Sequence, residues 1–398
     1  MSADPRKIAA QVLEQIFKNR AYSKHALSAA LDASRLDSRD KGFCTELVYG
    51  ALRWAPVLEK SLLRAMDRPN PKLALDLKCH LLVAAYQIQH LADTIPAYAA
   101  VSSAVQLIKR KRPGLGGFAN AILRRLGSSP HGTLGADSSL EAIEEGTGCP
   151  RFLLETLPVS KRVEAAIAMN DRPQTWYWTP EGNGNHAFVP TATTVAQTWV
   201  QDPASQIAAL LVGAQCGEWV VDACAAPGSK SRLLKHAVGE SGRVLAIDQN
   251  IKRLERVDAN IERLAGDFRV LEPQIADAVL LDAPCSGYGT LRRHPEIKLW
   301  RGFESVQELA VLQAELLERA ALWVKPGGVL VYSVCSPLPE EGQEPITRFL
   351  SKHSDFKLSD PRETLPWLPE HAVVQQTVRL WPHKDQTDAF FAARLIRS

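Results

Sequence analysis

The sequence lacks the features that mark membrane proteins and disulfide-stabilised secreted proteins. Within its 398 residues no window approaches the roughly 18 consecutive apolar residues of a membrane span, and Lys7, Glu14 and Lys18 interrupt the N-terminus. We see no signal peptide there. The seven cysteines are odd in number and spread over the chain, which favours reduced thiols over a disulfide framework. We therefore expect a cytoplasmic protein without a membrane anchor.

Two further absences narrow the possible cofactors. No Cys-x-x-Cys or Cys/His spacing typical of zinc sites occurs, so we expect no metal. A Gly-x-Gly-x-x-Gly turn is also missing, so a dinucleotide is not specifically indicated. The charge is uneven, because residues 1–128 hold 20 Lys+Arg against 10 Asp+Glu while the whole chain has a net charge of +3. A basic N-terminal part predicts contact with a polyanion, although solvated helix faces explain it equally well.

The N-terminal part, residues 5–130, reads as an all-α bundle of short helices. Ile8, Val12 and Ile16 recur at helical spacing, and Ala74–Leu91 is apolar enough to form a central helix. Residues 127–150 have few apolar residues and read as a linker or surface excursion. Beyond it, the aromatic run Trp176–Trp178 is either a core strand, which we favour, or a surface for stacking bases.

Four stretches of this N-terminal part resemble the RNA-binding NusB family: Arg39–Phe43, Leu47–Trp54, Ala100–Val105 and Phe118–Arg125. The resemblance covers about the first 128 residues and implies a helical domain whose basic side meets RNA. Phosphate contacts would position such an RNA without specifying its sequence. A basic run after a helix also suits the helix dipole, but we favour RNA contact. The candidate residues are Lys109, Arg110, Lys111, Arg112, Arg124 and Arg125.

From about Trp199 the pattern alternates strands with helices, which predicts a doubly wound α/β sheet, mainly parallel, with a hairpin-like end. Ile251–Leu264 is predicted as one helix. Asp222–Lys230 follows the first of these strands as a turn of small residues that opens a helix, where backbone N–H groups meet an anionic ligand. Asp248 ends the next strand, placed to bind ribose hydroxyls, and Asp267 lies in a third acidic turn. Each acid is otherwise a helix cap or turn residue.

Two cysteines follow two buried strands of this half. Asp282–Gly287 comes directly after Ala278–Leu281, and Cys335 follows Val329–Val334. Because ligands bind at the carboxyl ends of such strands, Cys285, Cys335 and Asp282 are expected to face one crevice. Thiols beside an acid in such a crevice are candidates for nucleophilic catalysis, which requires a thiolate. The residue chemistry alone does not decide which of the two thiols is the nucleophile. The alternative without catalysis is that both cysteines are buried and unreactive.

This half resembles the class I S-adenosylmethionine-dependent methyltransferases, and among them the RsmB/Sun-type RNA cytosine-5 methyltransferases. The motifs that carry the resemblance are Gln201–Gln206, Ala225–Lys230, Asp282–Gly287, Lys325–Gly328, Tyr332–Ser336 and Thr387–Phe391. It implies a Rossmann-like fold and S-adenosyl-L-methionine as cofactor. The residues that it implies for cofactor binding are Ala223, Cys224, Ala225, Ala226, Pro227, Gly228, Ser229, Lys230, Asp248, Asp267 and Asp282.

The resemblance also implies roles for the thiols and a substrate. Cys335 would be the nucleophile and Cys285 would assist release of the product, with Asp282 on the cytosine ring. Apart from the resemblance, Arg292 and Arg293 follow the Pro-Cys loop beside the expected crevice; a solvated loop is the alternative, but we favour contact with RNA phosphates. A NusB-like domain in front of the methyltransferase is the arrangement of the RsmB subgroup, whose substrate is small-subunit ribosomal RNA. Ser229 stands where the family more often has glycine, and residues 173–200 are shorter than in the family.

We therefore expect a multidomain protein with a NusB-like helical domain at 1–128, a linker and shortened RNA-contacting region at 129–198, and a class I methyltransferase domain at 199–398. The predicted activity is methylation of carbon 5 of a cytosine in ribosomal RNA through a covalent cysteine adduct. The alternatives are the same chemistry on tRNA, or an RNA-binding ribosome-assembly factor whose methyltransferase domain is weakly active or inactive. Nothing in the sequence indicates an obligate protein partner.

Overall fold

A computed structural model describes residues 4–66, 72–127, 134–178 and 199–398. The chain forms two compact units. The first contains Met1–Asp171 and Leu291–Trp300, and the second contains Arg172–Thr290 and Arg301–Ser398. The domain limits expected from the sequence stay a prediction, since they fall beside residues outside the described ranges. No helix of the described ranges is long and apolar enough to cross a membrane.

The first unit is helical, as the apolar spacing predicts. Its elements before Asp171 are α1 (Pro5–Asn19), α2 (Ser23–Asp32), α3 (Ser38–Arg53), α4 (Ala55–Arg64), α5 (Leu75–His90), α6 (Ala97–Lys111), α7 (Gly116–Gly127), α8 (Leu140–Thr147), α9 (Arg151–Glu155) and α10 (Arg162–Ala168).

The core of this unit forms where the apolar faces of its helices meet. Val12 and Ile16 of α1, Leu47 of α3 and Leu81 of α5 are buried together. Most of α5 is buried, so the prediction of a central helix over Ala74–Leu91 is confirmed. Burial of about 25 cal/mol per Å² of apolar surface is what holds such short helices in place, because they are marginal alone.

The second unit is an α/β domain. Its strands are β1 (Tyr177–Trp178), β2 (Trp199–Val200), β3 (Trp219–Asp222), β4 (Arg243–Asp248), β5 (Glu262–Ala265), β6 (Ala276–Asp282), β7 (Val324–Val334), β8 (Phe356–Leu358), β9 (Val373–Val374), β10 (Thr377–Leu380) and β11 (Phe390–Arg397). The helices that follow in the chain are α11 (Pro203–Leu210), α12 (Ser229–Val238), α13 (Ile251–Leu254), α14 (Ile297–Trp300, in the first unit), α15 (Phe303–Ala321), α16 (Gln343–Lys352), α17 (Pro361–Thr364) and α18 (Pro382–Asp385).

The large sheet has the strand order β5-β4-β3-β6-β7-β11-β10-β9, with β8 paired to β11. Pairing is parallel from β5 to β7. It is antiparallel at β11 and beyond. The predicted parallel sheet with a hairpin-like end is therefore confirmed, with a larger antiparallel part than the sequence indicates. The inner parallel strands β3, β4 and β6 are almost entirely buried, which explains their continuous apolar runs, whereas the edge strand β5 is largely exposed.

One element is wrong in the sequence prediction. Instead of a single helix over Ile251–Leu264, the chain forms the short helix α13 and then β5, which pairs with β4. Val257 and Ile261 are buried in the sheet domain, but they lie between α13 and β5. The helical spacing of these residues was mistaken for a helix because sheet pairing overrode it.

The aromatic run Trp176–Trp178 follows the favoured interpretation in part. Trp176 is buried, and its carbonyl accepts a hydrogen bond from Gln201 N at 3.1 Å. Tyr177 pairs with Val200 in the small sheet of β1 and β2. Most of the shortened segment 173–200 lies outside the described residues.

The segment Leu291–Trp300 belongs to the first unit although its neighbours in sequence belong to the second. Nε and Nη2 of Arg53 both donate to the carbonyl of Arg292 at 3.2 Å. The buried carboxylate of Glu296 accepts from Ser23 N at 3.0 Å, and Lys298 Nζ donates to Asn170 Oδ1 at 2.9 Å. These hydrogen bonds fix the segment among α2, α3 and the end of α10.

Candidate active site

The carboxyl ends of four parallel strands bring acids and thiols to one edge of the sheet. Asp222 ends β3, Asp248 ends β4, Asp282 ends β6, and Cys335 directly follows β7. Pairing of Asp282 with Ser333 on β7 places the loops after β6 and β7 side by side. The acids and thiols therefore lie together at the carboxyl ends of the strands, as predicted. This edge is where open α/β sheets bind their ligands.

The two cysteines lie in contact. Sγ of Cys285 and Sγ of Cys335 are 3.2 Å apart, and either thiol can donate the hydrogen bond. The carbonyl of Cys285 accepts from the guanidinium of Arg301 at 2.8 Å, and Gly289 N donates to the carbonyl of Cys335 at 3.0 Å. The hydrogen bond with Cys335, burial, and the nearby carboxylates of Glu341 and Asp282 raise the pKa of Cys285 well above its ordinary value.

Asp282 sits beside the thiols in an ion pair. Its Oδ2 accepts from Lys230 Nζ at 2.6 Å, and its Oδ1 accepts from Ser333 Oγ at 2.8 Å. Burial alone would lower the pKa of Lys230, but the Asp282 carboxylate outweighs it and the net shift is upward. A fixed ammonium group is therefore held next to the strand end that carries Cys285.

The turn of small residues after β3 folds tightly against β4 and β6. Ala223 N donates to the carbonyl of Leu280, and Ala225 N donates to the carbonyl of Ile247. Asp248 holds the turn from the other side, accepting from Ala226 N at 3.1 Å and from Asn250 N at 2.8 Å. Each carboxylate oxygen has a further lone pair, so Asp248 retains acceptor capacity towards a ligand.

Gly228 and Ser229 end this turn and begin α12. Gly228 has φ of +102°, and a Cβ there would stand 3.0 Å from the Cα of Val257. Only glycine fits this position without strain. Ser229, by contrast, is the first residue of α12 and takes helical backbone angles, so the serine is compatible with the turn.

Asp222 is a site residue that the sequence reasoning missed. Its Oδ2 accepts from Ser231 Oγ at 2.7 Å, while its buried Oδ1 meets no hydrogen-bond partner among the described residues. Burial raises the pKa of Asp222 to about 7, against the opposing hydrogen bond from Ser231. An orphaned buried carboxyl oxygen beside a glycine turn fits a site for a ligand that carries hydrogen-bond donors. The strand-end acid was visible in the sequence, but its burial was not.

The remaining candidates for cofactor binding differ in their exposure and in their contacts. Asp267 is partly exposed and forms an ion pair with Arg269 at 2.7 Å, which lowers the pKa of Asp267. Cys224 is half-buried, and burial raises the pKa of its thiol. Pro227 is exposed on the turn, and the peptide bond before it is cis. The structure brings together the turn, Asp248 and Asp282, with Asp267 after β5.

The six basic candidates of the first unit fall into two groups. Arg112 forms two hydrogen bonds with Asp76, at 3.1 and 2.9 Å, and Lys111 Nζ lies 3.0 Å from the same carboxylate. The hydrogen bond from Arg112 is the main reason why the pKa of Asp76 falls to about 2. Lys111 and Arg112 are therefore engaged with α5. The second group is Lys109, Arg110, Arg124 and Arg125. All six side chains are exposed, and Arg125 Nη1 donates to the carbonyl of Ala65 at 3.3 Å.

A groove between α6 and α7 runs beside two of these cations. Its volume is about 550 Å³, and Lys109 and Arg124 line it together with the amides of Gln106 and Asn120. Tyr98, 78% exposed, stands on its wall. Exposed aromatic rings next to cations are the elements with which proteins bind single-stranded nucleic acid.

The two arginines after the Pro-Cys loop lie in the first unit. Arg292 is only 6% exposed, and Arg293 is half-buried. So deeply buried a side chain offers little surface to a phosphate, which corrects the expectation for Arg292. Its burial follows from the anchoring of Leu291–Trp300, which the sequence did not indicate. Among the residues that the structure describes, no group of three or more His, Cys, Asp or Glu side chains is arranged to hold a metal ion.

Comparison with known proteins covers both halves of the chain. A family model described as 16S rRNA methyltransferase RsmB/F matches residues 209–396, and one described as the NusB family matches residues 3–128. The chain is similar to ribosomal RNA small subunit methyltransferase B of Erwinia tasmaniensis, with 31% identity over 441 residues and 98% of each chain covered. The same-named protein of Pectobacterium atrosepticum is 32% identical over 450 residues, with 99% of this chain and 98% of its own covered.

Solved structures share the fold. The crystal structure of PH0851 matches with a TM-score of 0.77 and 24% identity, covering 99% of each chain. A methyltransferase homolog from Pyrococcus horikoshii matches with a TM-score of 0.51 and 22% identity, covering 62% of this chain and 94% of its own. The expected fold class, a NusB-like helical part followed by a Rossmann-like methyltransferase domain, is confirmed.

Proposed function

Because the chain belongs to the RsmB/F family of ribosomal RNA small subunit methyltransferases, we propose that it methylates carbon 5 of a cytosine in small-subunit ribosomal RNA through a covalent cysteine adduct. The observation that carries the proposal is the pair of thiols, 3.2 Å apart, beside the Asp282 carboxylate. Carbon 5 of cytosine is a poor nucleophile. A sulfur bonded to carbon 6 turns the ring into an enamine whose carbon 5 is reactive.

We assign the attack to Cys335. Its thiolate forms a bond to carbon 6, and the electrons of the ring double bonds move towards carbon 5 and the ring nitrogen N3. Asp282, at the end of β6, takes up a proton as the cytosine binds and donates it to N3 during the attack, so that charge is drawn from carbon 6; it recovers the proton when the ring double bonds re-form. The 3.2 Å contact supports this order, because a thiol on Cys285 can donate a hydrogen bond that stabilises a thiolate on Cys335.

Release of the product falls to Cys285. Carbon 5 must lose a proton, and the bond between carbon 6 and Cys335 must break. The thiol proton of Cys285 passes to the departing sulfur of Cys335, and the sulfur of Cys285 takes the proton of carbon 5. The double bond between carbons 5 and 6 re-forms, and both cysteines end as thiols. The contact of 3.2 Å between the sulfurs supports this exchange.

S-adenosyl-L-methionine supplies the electrophilic methyl group when bound. We assign its binding to the turn Ala223–Lys230, to Asp248 and Asp267 for the nucleoside, and to Asp282. Two observations support this assignment. Only glycine fits at Gly228, where the turn packs closely, and the carboxylates at the strand ends can accept further hydrogen bonds.

We propose that RNA meets the first unit along α6 and α7. Lys109, Arg110, Arg124 and Arg125 supply charge for the phosphates, and Tyr98 supplies a face on which a base stacks. Lys111 and Arg112 are exposed as well, but we assign them a smaller share of these contacts because both already pair with Asp76. The target base must be single-stranded or flipped out to reach the thiols.

The test is methyl transfer from labelled S-adenosyl-L-methionine to unmodified small-subunit RNA, with the labelled nucleoside identified after digestion. We expect 5-methylcytidine as the labelled product, and unmodified tRNA serves as the competing substrate. Binding of the cofactor without any transfer to cytosine would overturn the proposal and favour an RNA-binding assembly factor with an idle methyltransferase domain.

A further inference from the structure

Glu341 is a buried carboxylate that the chemistry proposed above does not use. It lies in the loop between β7 and α16 and has 0% exposure. Among the residues that the structure describes, no lysine or arginine forms an ion pair with it. Glutamate is almost never fully buried without a partner, because its carboxylate loses the hydration that water gives it. The local hydrogen bonds must therefore replace that hydration.

Those hydrogen bonds come chiefly from the residue after Cys285. Oε1 of Glu341 accepts from the backbone N of Ser286 at 2.7 Å, and Oε2 accepts from Ser286 Oγ at 2.5 Å. Gln313 Nε2 on α15 donates to Oε1 at 3.1 Å. A carboxylate that receives two donors from a single residue fixes the position of that residue as well as its orientation.

The same network reaches the residues on both sides of the thiols. Gln313 Nε2 also donates to the carbonyl of Pro284 at 2.9 Å, and Tyr332 Oη donates to the carbonyl of Glu341 at 2.5 Å. Ser286 Oγ lies 3.4 Å from Oγ of Ser336, the residue after Cys335. Pro284 and Ser286 flank Cys285, so the backbone of Cys285 is held on both sides.

We propose that Glu341 is a positioning residue that holds Cys285 against Cys335, and that the release step depends on it. Its two oxygens match the two donors of Ser286, and a shift of this residue moves the adjacent sulfur. Attack by Cys335 needs only its own strand end, whereas the proton exchange in release needs both sulfurs in contact. Loss of the hydrogen bonds between Glu341 and Ser286 therefore impairs release more than attack.

The electrostatic setting agrees with this division. The negative charge of Glu341 contributes to the raised pKa of Cys285, after the hydrogen bond with Cys335 and burial. The length of the Glu341 side chain, more than its charge, decides whether both hydrogen bonds to Ser286 form. Reach and charge are separable by substitution, because aspartate keeps the charge and glutamine keeps the length.

The test compares Glu341→Asp with Glu341→Gln and rests on the proposed function. Each protein is incubated with small-subunit RNA and S-adenosyl-L-methionine, and the protein–RNA adduct is measured on a denaturing gel beside steady-state turnover. We expect Glu341→Asp to lower kcat about 10²-fold, to leave KM for RNA unchanged and to accumulate the adduct. Glu341→Gln, whose Oε1 still accepts from Ser286 N, should turn over close to the unaltered rate without adduct.

The controls separate the possible failures. Glu344→Gln, on the same segment but exposed and paired with Arg348, should leave kcat and adduct unchanged. Cys285→Ala must itself accumulate adduct; if it does not, the proposed function fails and not only the role of Glu341. If Glu341→Asp does not fold, Ser286→Ala removes the 2.5 Å bond and keeps the carboxylate, and adduct is again expected.

Three results would overturn the role of Glu341 while Cys285→Ala forms adduct. The first is unaltered turnover in Glu341→Asp. The second is a loss of turnover in Glu341→Asp without adduct, which indicates a general structural role. The third is equal impairment of Glu341→Asp and Glu341→Gln, which indicates that charge and not reach is required.

Discussion

The two units of this protein carry their charged groups in opposite settings. On the first, Lys109, Arg110, Arg124 and Arg125 are exposed along α6 and α7. In the second, Asp248 and Glu341 are buried and accept hydrogen bonds from backbone N–H groups and from Ser286, while buried Asp222 accepts one from Ser231 and its Oδ1 has no partner among the described residues. The charged groups of the two units therefore differ in the sign of their charge and in their dielectric environment, which is water for the first and the protein interior for the second.

Exposed and buried charges act over different ranges. Exposed cations in water attract phosphates from a distance, contribute weakly one by one and are screened by salt. Buried carboxylates act at contact distance, shift neighbouring pKa values and fix side chains. Affinity for RNA and chemistry on cytosine should therefore be separable: substitutions on α6 and α7 should change binding, and substitutions at the strand ends should change turnover.

The largest expected effect is that of Cys335→Ala. Without the nucleophile no bond to carbon 6 forms, so kcat should fall by at least about 10³-fold. Affinity for RNA should stay unchanged, because the thiol lies in the second unit and its loss alters no surface cation. Filter binding beside labelled methyl transfer measures both. Equal loss of binding and turnover would break the separation between the units.

A smaller effect is expected for Asp282→Asn. It removes the ion pair with Lys230 and the proton shared with N3, so kcat should fall about 10²-fold while KM for RNA is retained. Asp277→Asn is a matched control, since Asp277 lies on the same strand and pairs with Lys325. The account is contradicted if both asparagine variants lose turnover to the same extent.

Substitutions on α6 and α7 should affect binding alone. Arg124→Ala and Lys109→Gln, which keeps the aliphatic stem, should weaken RNA binding, and each lost phosphate contact should lower the slope of log K against log salt by about 1. Lys111→Ala is the control, because Lys111 is already paired with Asp76. Binding titrations at several salt concentrations give the slopes. A larger change for Lys111→Ala than for Arg124→Ala and Lys109→Gln would show that the phosphate contacts are assigned to the wrong residues.

The smallest effect concerns the pH dependence of stability. The pKa of Asp222 is raised by burial from 3.8 to about 7, so the folded protein retains a proton that the unfolded chain loses. Its stabilising contribution is fully present below pH 4 or so and is lost as pH rises through about 7. Asp222→Asn, which cannot ionise, should lack this loss. Thermal melting at pH 5 and pH 8 measures it; an identical pH dependence in both proteins would contradict the raised pKa.

Much of the catalytic edge was predictable, because strand ends are visible as apolar runs that stop at a polar residue. Cys285, Cys335, Asp248 and Asp282 each follow such a run, and parallel pairing brings their ends together. The central helix α5 was predictable for the same reason, since its apolar residues are continuous. Local sequence pattern was sufficient wherever burial and secondary structure coincide.

The parts that were not predictable depend on distant partners. Nothing in the spacing of Leu291–Trp300 indicates that Arg53 and Ser23 bind it, and Arg292 was therefore expected at the surface. The strand β5 was hidden in a helical pattern because its pairing with β4 decides its conformation. Glu341 has no signal in the local sequence pattern, because its burial against Ser286 appears only in three dimensions.

The most direct test of the central claim, that Cys335 attacks and Cys285 releases, is the trapping of a covalent intermediate. Cys285→Ala and Cys335→Ala are each incubated with small-subunit RNA and S-adenosyl-L-methionine, and the adduct is identified by mass spectrometry of the cross-linked peptide. Cys285→Ala should accumulate RNA bonded to Cys335, and Cys335→Ala should form no adduct. An adduct at Cys285 in the Cys335→Ala protein, with none in Cys285→Ala, would contradict the assignment and reverse the two roles.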